Sequence, residues 1–228
     1  MNNLLAILDL DHCIFQSEAF WLNVTELLER HYGVTGITAA KFRTERLDRR
    51  PGGPGRVAGG EGYDFFAHLS QHGVDSAAAE HQIIQSLRGN RWLYPGSVKL
   101  ISYLRDHGYT IVIETTGADR FQQLKVACAA NLPSDIPVRA FPDNKGDLLR
   151  REWESAGGIV HHGTSYAHVL VIDNSATTFA ALGQHPGLTA VQIVGREKSP
   201  EPSPLPWVHK VTTLSEIPPL IPITKPKS

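Results

Sequence analysis

The stretch Leu4-Leu5-Ala6-Ile7-Leu8-Asp9-Leu10-Asp11 decides the fold of this chain. It begins with five apolar residues in a row, a pattern typical of a strand buried on both faces in a parallel sheet covered by helices. Two carboxylates then follow, at Asp9 and Asp11. Because open α/β sheets bind ligands at the carboxyl ends of their strands, we expect both carboxylates in the functional crevice. The alternative is an acidic turn that caps the next helix.

The composition is that of an ordinary globular protein and excludes several classes. The chain has 228 residues, of which 41% are hydrophobic and 20% charged, and its net charge is −1. This balance argues against a nucleic-acid partner, which would call for a basic surface. No long apolar segment and no signal-peptide pattern occur, so we expect a soluble, cytoplasmic protein without a membrane partner. Cys13 and Cys128, the only cysteines, are expected to be reduced thiols.

Strands and helices alternate in the second part of the chain. Apolar runs at 109–114, 168–172 and 189–194 predict buried strands, and a shorter strand is predicted at 137–141. Segments with helical periodicity separate these runs. The alternation implies right-handed crossovers, so the predicted fold class is α/β, with a Rossmann-like, doubly wound parallel sheet.

The segment between the first strand and this alternating part has a different pattern. Residues 15–91 predict helices and no credible strand. Within them, the glycine-rich stretch 51–62 follows no buried strand and lacks a Gly-Lys-Ser/Thr ending, so a mobile loop over a site is favoured over a phosphate-binding loop. The proline-rich C-terminal region ends in residues 221–228, which are predicted to be disordered.

Polar side chains follow three of the predicted strands, and a lysine begins a helix between the last two. They are Asp9 and Asp11, the Thr-Thr-Gly at 115–117, Lys145, and the Asp-Asn at 173–174. Each alone has an ordinary explanation as a turn, cap or solvated residue. Together they place carboxylates, a hydroxyl, an amide and an ammonium at one sheet edge. That set suits magnesium-assisted phosphoryl transfer, because Mg²⁺ takes oxygen ligands and phosphate oxygens bind hydroxyls, amides and cations.

In this order and spacing, the residues resemble the four motifs of the haloacid dehalogenase-like (HAD) hydrolase superfamily. The resemblance covers the chain to about residue 195. It implies a HAD core made of residues 1–14 and 92–220. It also implies that residues 15–91 are a helical cap of the C1 type, inserted just after the first motif, with 221–228 as a tail.

The resemblance further implies a catalytic role for each matching residue. Asp9 would attack phosphorus to form an aspartyl-phosphate, and Asp11 would act as general acid and then as general base. Lys145 would balance the charge that gathers on the nucleophile and the phosphate. Thr115 would bind a phosphoryl oxygen, with Thr116 and Gly117 next to it in the substrate site.

Magnesium is the cofactor that the resemblance implies. The ion would be held by the Asp9 carboxylate, the Asp11 backbone carbonyl and the side chains of the last motif, Asp173 and Asn174. Position 174 is Asn where many members of the family have a second Asp. Which of these two residues contacts the ion stays open.

The substrate is expected to be a small phosphorylated metabolite, since a helical cap closes over the site and excludes macromolecules. Two further substrate contacts are predicted at His12, on the loop facing the cap, and at Arg49. With Arg46, Arg50 and Arg56, Arg49 would recognise a second anionic group, or else these arginines form a solvated face. Cys13 is predicted to pack under the loop rather than to act as a catalytic thiol.

Other activities of the same fold stay open at this point. A phosphomutase would keep the same two aspartates, and the alternative outside catalysis is a protein that only binds a phosphorylated ligand. Dehalogenation is disfavoured, because the dehalogenases of the family lack the acid that Asp11 supplies. The chain is expected to be a monomer or a homodimer.

Overall fold

A six-stranded parallel sheet lies at the centre of the computed structural model, which describes residues 3–33, 38, 41, 44–45, 63–141, 144–196 and 201–221. The strands are β1 (Leu4–Leu8), β2 (Tyr109–Thr116), β3 (Val138–Phe141), β4 (Val160–His161), β5 (Thr164–Ser165), β6 (His168–Asp173), β7 (Leu188–Ile193) and β8 (Val208–Val211). Of these, β4 and β5 form a separate antiparallel hairpin, which the sequence analysis did not predict.

The order of strands in the sheet is β3-β2-β1-β6-β7-β8. From β1 the chain extends the sheet outward through β2 and β3, and it then returns to the other side of β1 to add β6, β7 and β8. All neighbouring strands in this sheet pair in parallel. The order reverses between β1 and β6, so the carboxyl ends of these two strands form the switch point at which such sheets bind ligands.

Helices cover both faces of the sheet and explain the unbroken apolar run in β1. They are α1 (Ser17–Tyr32), α2 (Phe65–Gln71), α3 (Ser76–Leu87), α4 (Ser97–Asp106), α5 (Asp119–Cys128), α6 (Lys145–Ala156) and α7 (Ala176–Leu182). Leu4, Ala6 and Leu8 pack on the face covered by α1 to α5. Leu5 and Ile7 point to the other face, where α6 and α7 lie. The predicted α/β, Rossmann-like doubly wound sheet is therefore confirmed.

The described residues within 15–91 form the helices α1 to α3, a few further helical positions at 41, 44 and 45, and the start of a short 3-10 helix (Asn90–Trp92), with no strand beyond isolated bridges. Trp21 in this segment packs edge-to-face against Phe65 and, in the second part of the chain, against Phe121. One hydrophobic cluster therefore joins the helical segment to the sheet. The predicted division into a cap at 15–91 and a core at 1–14 and 92–220 stays a prediction.

Several predicted features lie outside the described residues. They are the glycine-rich stretch 51–62, the arginines at 46, 49, 50 and 56, and the tail from residue 222 onward. Both cysteines are free and buried, as predicted. Among the described helices, none is long and apolar enough to cross a lipid bilayer.

Candidate active site

The first strand carries Asp9 to the switch point of the sheet. Asp9 directly follows β1, and its backbone N–H donates to the Ile172 carbonyl oxygen of β6 at 2.8 Å. This bond continues the ladder between the two strands by one residue, so the backbone of Asp9 is held in line with the sheet. The side chain is buried at the carboxyl edge, where the sequence analysis expected it.

One ammonium joins the ends of three strands. Lys145 Nζ donates to Asp9 Oδ1 at 2.6 Å and to the Glu114 carbonyl oxygen of β2 at 2.7 Å. The same atom lies 2.8 Å from Asp173 Oδ2 at the end of β6. Asp9, Asp173 and Lys145, which are far apart in the sequence, therefore converge as predicted. Of the two residues in the last motif, Asp173 is the one whose side chain is recorded beside Lys145.

The position of Lys145 follows from how α6 begins. Asn144 caps the helix by accepting from the Gly146 N–H at 2.9 Å. Gly146 allows close packing, because a Cβ there would overlap the Thr178 carbonyl oxygen of α7. A cation in the first turn of a helix is unfavourable next to the helix dipole. Burial would also lower the pKa of Lys145, but Asp173 and Asp9 offset both effects and hold that pKa above its ordinary value.

The charges at this point of the site fit a bound cation. Asp9 and Asp173 are both buried and share one ammonium, so this group of three has an excess negative charge when both carboxylates are ionised. Burial raises the pKa of Asp9; Lys145 opposes the rise and Asp173 adds to it. Two buried carboxylates with an excess negative charge are the oxygen-rich donor set that a hard divalent cation binds. The residues present therefore fit the Mg²⁺ ion that the motifs imply.

Thr115 brings a hydroxyl to the same edge. Its side chain is fully buried, and within the described part of the chain its Oγ1 has no hydrogen-bond partner. A buried hydroxyl is normally satisfied, so this atom has the free capacity that a phosphoryl oxygen would use. Thr116 is exposed, and the Gly117 N–H donates to the Phe141 carbonyl oxygen at 2.8 Å. The Gly117 amide would have to exchange that bond in order to bind substrate.

Asp11 occupies a second polar centre that the sequence analysis did not predict. Lys125 Nζ donates to both carboxylate oxygens, at 2.6 and 2.7 Å, and Gln122 Nε2 donates to Oδ2 at 3.0 Å. The Ser17 hydroxyl donates to Oδ1. Burial alone would raise the pKa of Asp11, but the Lys125 ammonium and these hydrogen bonds more than offset it and lower the pKa to about 2. Asp11 is therefore a carboxylate in this structure.

The partners of Asp11 could hardly be recognised from the sequence. Gln122 and Lys125 are three residues apart on α5 and so lie on one side of the helix. Beside the apolar stripe at 121, 124 and 128, they resemble ordinary solvated positions. Only the packing of α5 against the loop after β1 turns them towards Asp11.

The ion pair between Lys125 and Asp11 is expected to stabilise the fold. In a double-mutant cycle with Lys125→Met and Asp11→Asn, we expect a coupling free energy on the order of 2 kcal/mol near neutral pH, because Lys125 makes the largest contribution to lowering the pKa of Asp11 from 3.8 to about 2. Because the folded-state pKa is lowered, the coupling is complete above pH 3.8 and is lost as the pH falls towards 2. Urea unfolding of the four proteins at about pH 7 and about pH 3 measures the coupling free energy, and roughly half of it should remain at the lower pH.

The exposed pair Arg105–Asp135 is the control for this cycle, since it has similar contact distances but lies in solvent. Its coupling should be clearly smaller, because water screens exposed charges. A cycle on Lys125 and Asp11 that gave no more coupling than this control would contradict the structural role assigned to the buried pair.

The remaining predicted residues lie near the site in different settings. His12 has a left-handed backbone (φ 58°), and its Nε2 lies 4.0 Å from Glu18 Oε1. The Cys13 thiol is buried against the Ile172 carbonyl oxygen at 3.7 Å, and burial raises its pKa well above the ordinary value, so it stays protonated. Asn174 is half-buried, and its backbone carbonyl oxygen accepts from the Gln192 side-chain amide at 3.0 Å.

The fold and the site define an α/β protein with an acidic, lysine-bridged centre at the switch point of its sheet. No protein-family model matches the chain, and no curated protein matches its sequence. Solved structures do match its fold. A haloacid dehalogenase-like hydrolase from Burkholderia xenovorans LB400 is 16% identical, with 95% of each chain covered and a TM-score of 0.65.

Two further similar structures share the fold at comparable identity. The HAD-hydrolase YfnB from Bacillus subtilis, bound to magnesium, is 18% identical, with 95% of this chain and 96% of that chain covered and a TM-score of 0.55. A HAD phosphatase from Thermococcus onnurineus is 19% identical, with the same coverage and a TM-score of 0.53. Solved dehalogenases also match. The chain therefore has the haloacid dehalogenase-like fold, as its motifs predict.

Proposed function

We propose that the protein is a Mg²⁺-dependent phosphohydrolase that acts on a small phosphorylated metabolite. One observation supports this above all: Lys145 bridges the Asp9 and Asp173 carboxylates, next to the strand end that carries Thr115, whose hydroxyl has no hydrogen-bond partner among the described residues. The nucleophile Asp9 and the phosphate-binding hydroxyl of Thr115 then lie at adjacent strand ends, and the Lys145 ammonium lies beside them. Phosphoryl transfer depends chiefly on such positioning and charge stabilisation.

The proposed reaction has two half-reactions. In the first, an Asp9 carboxylate oxygen attacks phosphorus, the bond to the leaving oxygen breaks, and Asp11 gives that oxygen its proton. In the second, Asp11 takes a proton from a water molecule that attacks phosphorus, and the bond between phosphorus and Asp9 breaks to release phosphate. Asp11 thus needs opposite protonation states in turn. The ionised form paired with Lys125 is the one that the second half-reaction requires, whereas the first requires Asp11 to be protonated beforehand, which the pairing with Lys125 opposes.

The remaining residues would bind and orient the phosphoryl group. Lys145 would stabilise the negative charge shared by Asp9 and the phosphoryl oxygens, and Thr115 would donate to one of these oxygens. Mg²⁺ would be held by the Asp9 carboxylate, the Asp11 backbone carbonyl, Asp173 and Asn174. When bound, it would supply electrostatic stabilisation of the phosphoryl oxygens. The contact between Asp173 and Lys145 favours Asp173 as a direct ligand.

Two further parts of the proposal concern the setting of the reaction. The helical segment at 15–91 would act as a cap and restrict the site to small substrates. The two free, buried cysteines suit a reducing cytoplasm.

A parallel assay on two substrate classes tests this function. We expect release of phosphate from a generic aryl phosphate with excess Mg²⁺, and a rate at least about 100-fold lower in EDTA, because a bound metal contributes several kcal/mol of transition-state stabilisation. A short 2-haloacid should release no halide under the same conditions. Halide release, or hydrolysis of the aryl phosphate that EDTA leaves unchanged, would reject the proposal in favour of a dehalogenase or a metal-independent enzyme.

A further inference from the structure

A second cluster of chemically active side chains lies behind the strand end that carries Thr115. Glu114 and Thr115 are neighbours in β2, so their side chains point to opposite faces of the sheet. Glu114 faces the side covered by α6, where the hairpin formed by β4 and β5 brings up His161 and His162. None of these three side chains has a role in the reaction proposed above.

The three side chains are close enough to share one ion. His161 Nε2 lies 2.8 Å from Glu114 Oε1, and His162 Nε2 lies 3.7 Å from the same oxygen. One ligand atom from each residue falls within 4.8 Å of the others. Ligand atoms about 2.1 Å from a tetrahedral metal ion are about 3.4 Å apart, so only small side-chain movements would be needed to bind one.

The burial of this cluster leaves one carboxylate oxygen without a partner among the described residues. Glu114 is 1% exposed and His161 is 3% exposed. Glu114 Oε2 has no hydrogen-bond partner in the described part of the chain. An ion pair between Glu114 and a protonated His161 would satisfy only one carboxylate oxygen, and an unpaired buried oxygen is costly. A cation bound to the carboxylate would remove this deficit.

His162 has an uncommon backbone conformation and a partly exposed side chain. Its backbone is left-handed (φ 49°), which is uncommon for residues other than glycine, and its N–H donates to Glu152 Oε1 at 2.6 Å. The ring is 44% exposed, so the cluster is open to solvent on this side. An ion could enter there and keep water as a fourth ligand.

We propose that Glu114, His161 and His162 form a binding site for one Zn²⁺ ion, distinct from the Mg²⁺ site. Two imidazoles and one carboxylate are typical zinc ligands, whereas Mg²⁺ prefers oxygen ligands. On binding, His161 Nε2 gives up the proton that it shares with Glu114 Oε1: a protonated imidazole releases it to solvent, and a neutral imidazole carries its single proton on Nδ1 instead. Because the Glu114 carbonyl oxygen accepts from Lys145, the ion would also anchor the strand end that positions this lysine.

Zn²⁺ titration of the metal-free protein against a chromogenic chelator tests the site, with excess Mg²⁺ present to occupy oxygen-ligand sites. We expect wild type to bind one Zn²⁺ at this site and to gain thermal stability. His162→Asn should bind there at least about 100-fold more weakly, since even loss of a hydrogen bond to a metal ligand costs 10- to 100-fold. Asparagine tolerates the left-handed backbone, so the variant should keep the wild-type Tm in chelator.

Two control variants identify the site that binds zinc. His209→Asn changes an exposed histidine on β8 and should leave binding unchanged. His72→Asn disrupts the other described group of metal-ligand side chains, Glu45, His68 and His72, and should leave this binding event intact. The proposal is overturned if wild type binds no Zn²⁺, if His162→Asn binds it as tightly as wild type, or if only His72→Asn loses it.

Discussion

Asp9→Asn is expected to reduce Mg²⁺-dependent release of phosphate from an aryl phosphate by at least about 10⁴-fold, because an amide cannot replace the carboxylate nucleophile. The substitution keeps the shape of the side chain and an oxygen that can accept from Lys145. Initial rates at saturating substrate measure the effect. If the variant kept more than about 1% of the wild-type rate, Asp9 would not be the nucleophile.

The stability of the same variant separates lost chemistry from lost folding. Burial raises the pKa of Asp9 above its ordinary 3.8. A carboxyl with a raised folded-state pKa lowers stability as the pH rises from the ordinary value through the raised one. Asp9→Asn removes this penalty, so its Tm at neutral pH without divalent cations should equal or exceed that of wild type. Asp135→Asn, an exposed control, should keep both activity and Tm.

Lys145→Met is expected to lower the free energy of unfolding by about 3–5 kcal/mol when divalent cations are absent, because it leaves two buried carboxylates without their counter-charge. Methionine has a similar length and avoids a large cavity. Urea unfolding in EDTA measures the change. The control Lys210→Met, at an exposed position on β8, should change stability by no more than about 0.5 kcal/mol.

A second variant identifies the cause of this loss. If repulsion between Asp9 and Asp173 is responsible, adding Asp9→Asn to Lys145→Met should recover a large part of the stability, because only one buried carboxylate remains. Mg²⁺ should also stabilise Lys145→Met more than wild type. A loss below about 1 kcal/mol for Lys145→Met, or no recovery in the double variant, would contradict the bridging role of Lys145.

Much of the fold was predictable because its signals are local. The apolar run in β1 reports burial on both faces, and the structure covers those faces with separate helical layers. The polar residues at the carboxyl ends of β1, β2 and β6 could be assigned to one edge, because parallel strands end on the same side of a sheet. Lys145 is the weakest member of this set, since a lysine at a helix start is by itself unremarkable, and its specific role came from the resemblance to known motifs.

The charge pairs were not predictable from the same patterns. Lys125 is 114 positions from Asp11, and Glu114 is 47 positions from His161. Nothing in the spacing of these residues relates one partner to the other. The β4–β5 hairpin that supplies His161 and His162 was also missed, because its two-residue strands are too short to show an alternating pattern.

The sequence by itself determined the main strands of the parallel sheet, the α/β class and the edge at which Asp9, Thr115 and Asp173 meet. These features follow from hydrophobic periodicity, which each segment carries independently of its neighbours. Only the tertiary structure decided that Lys145 bridges Asp9 and Asp173, that Lys125 holds Asp11 as a carboxylate, and that Glu114 lies beside two histidines. Such pairings depend on distances of a few ångströms between elements, which packing sets and local sequence does not encode.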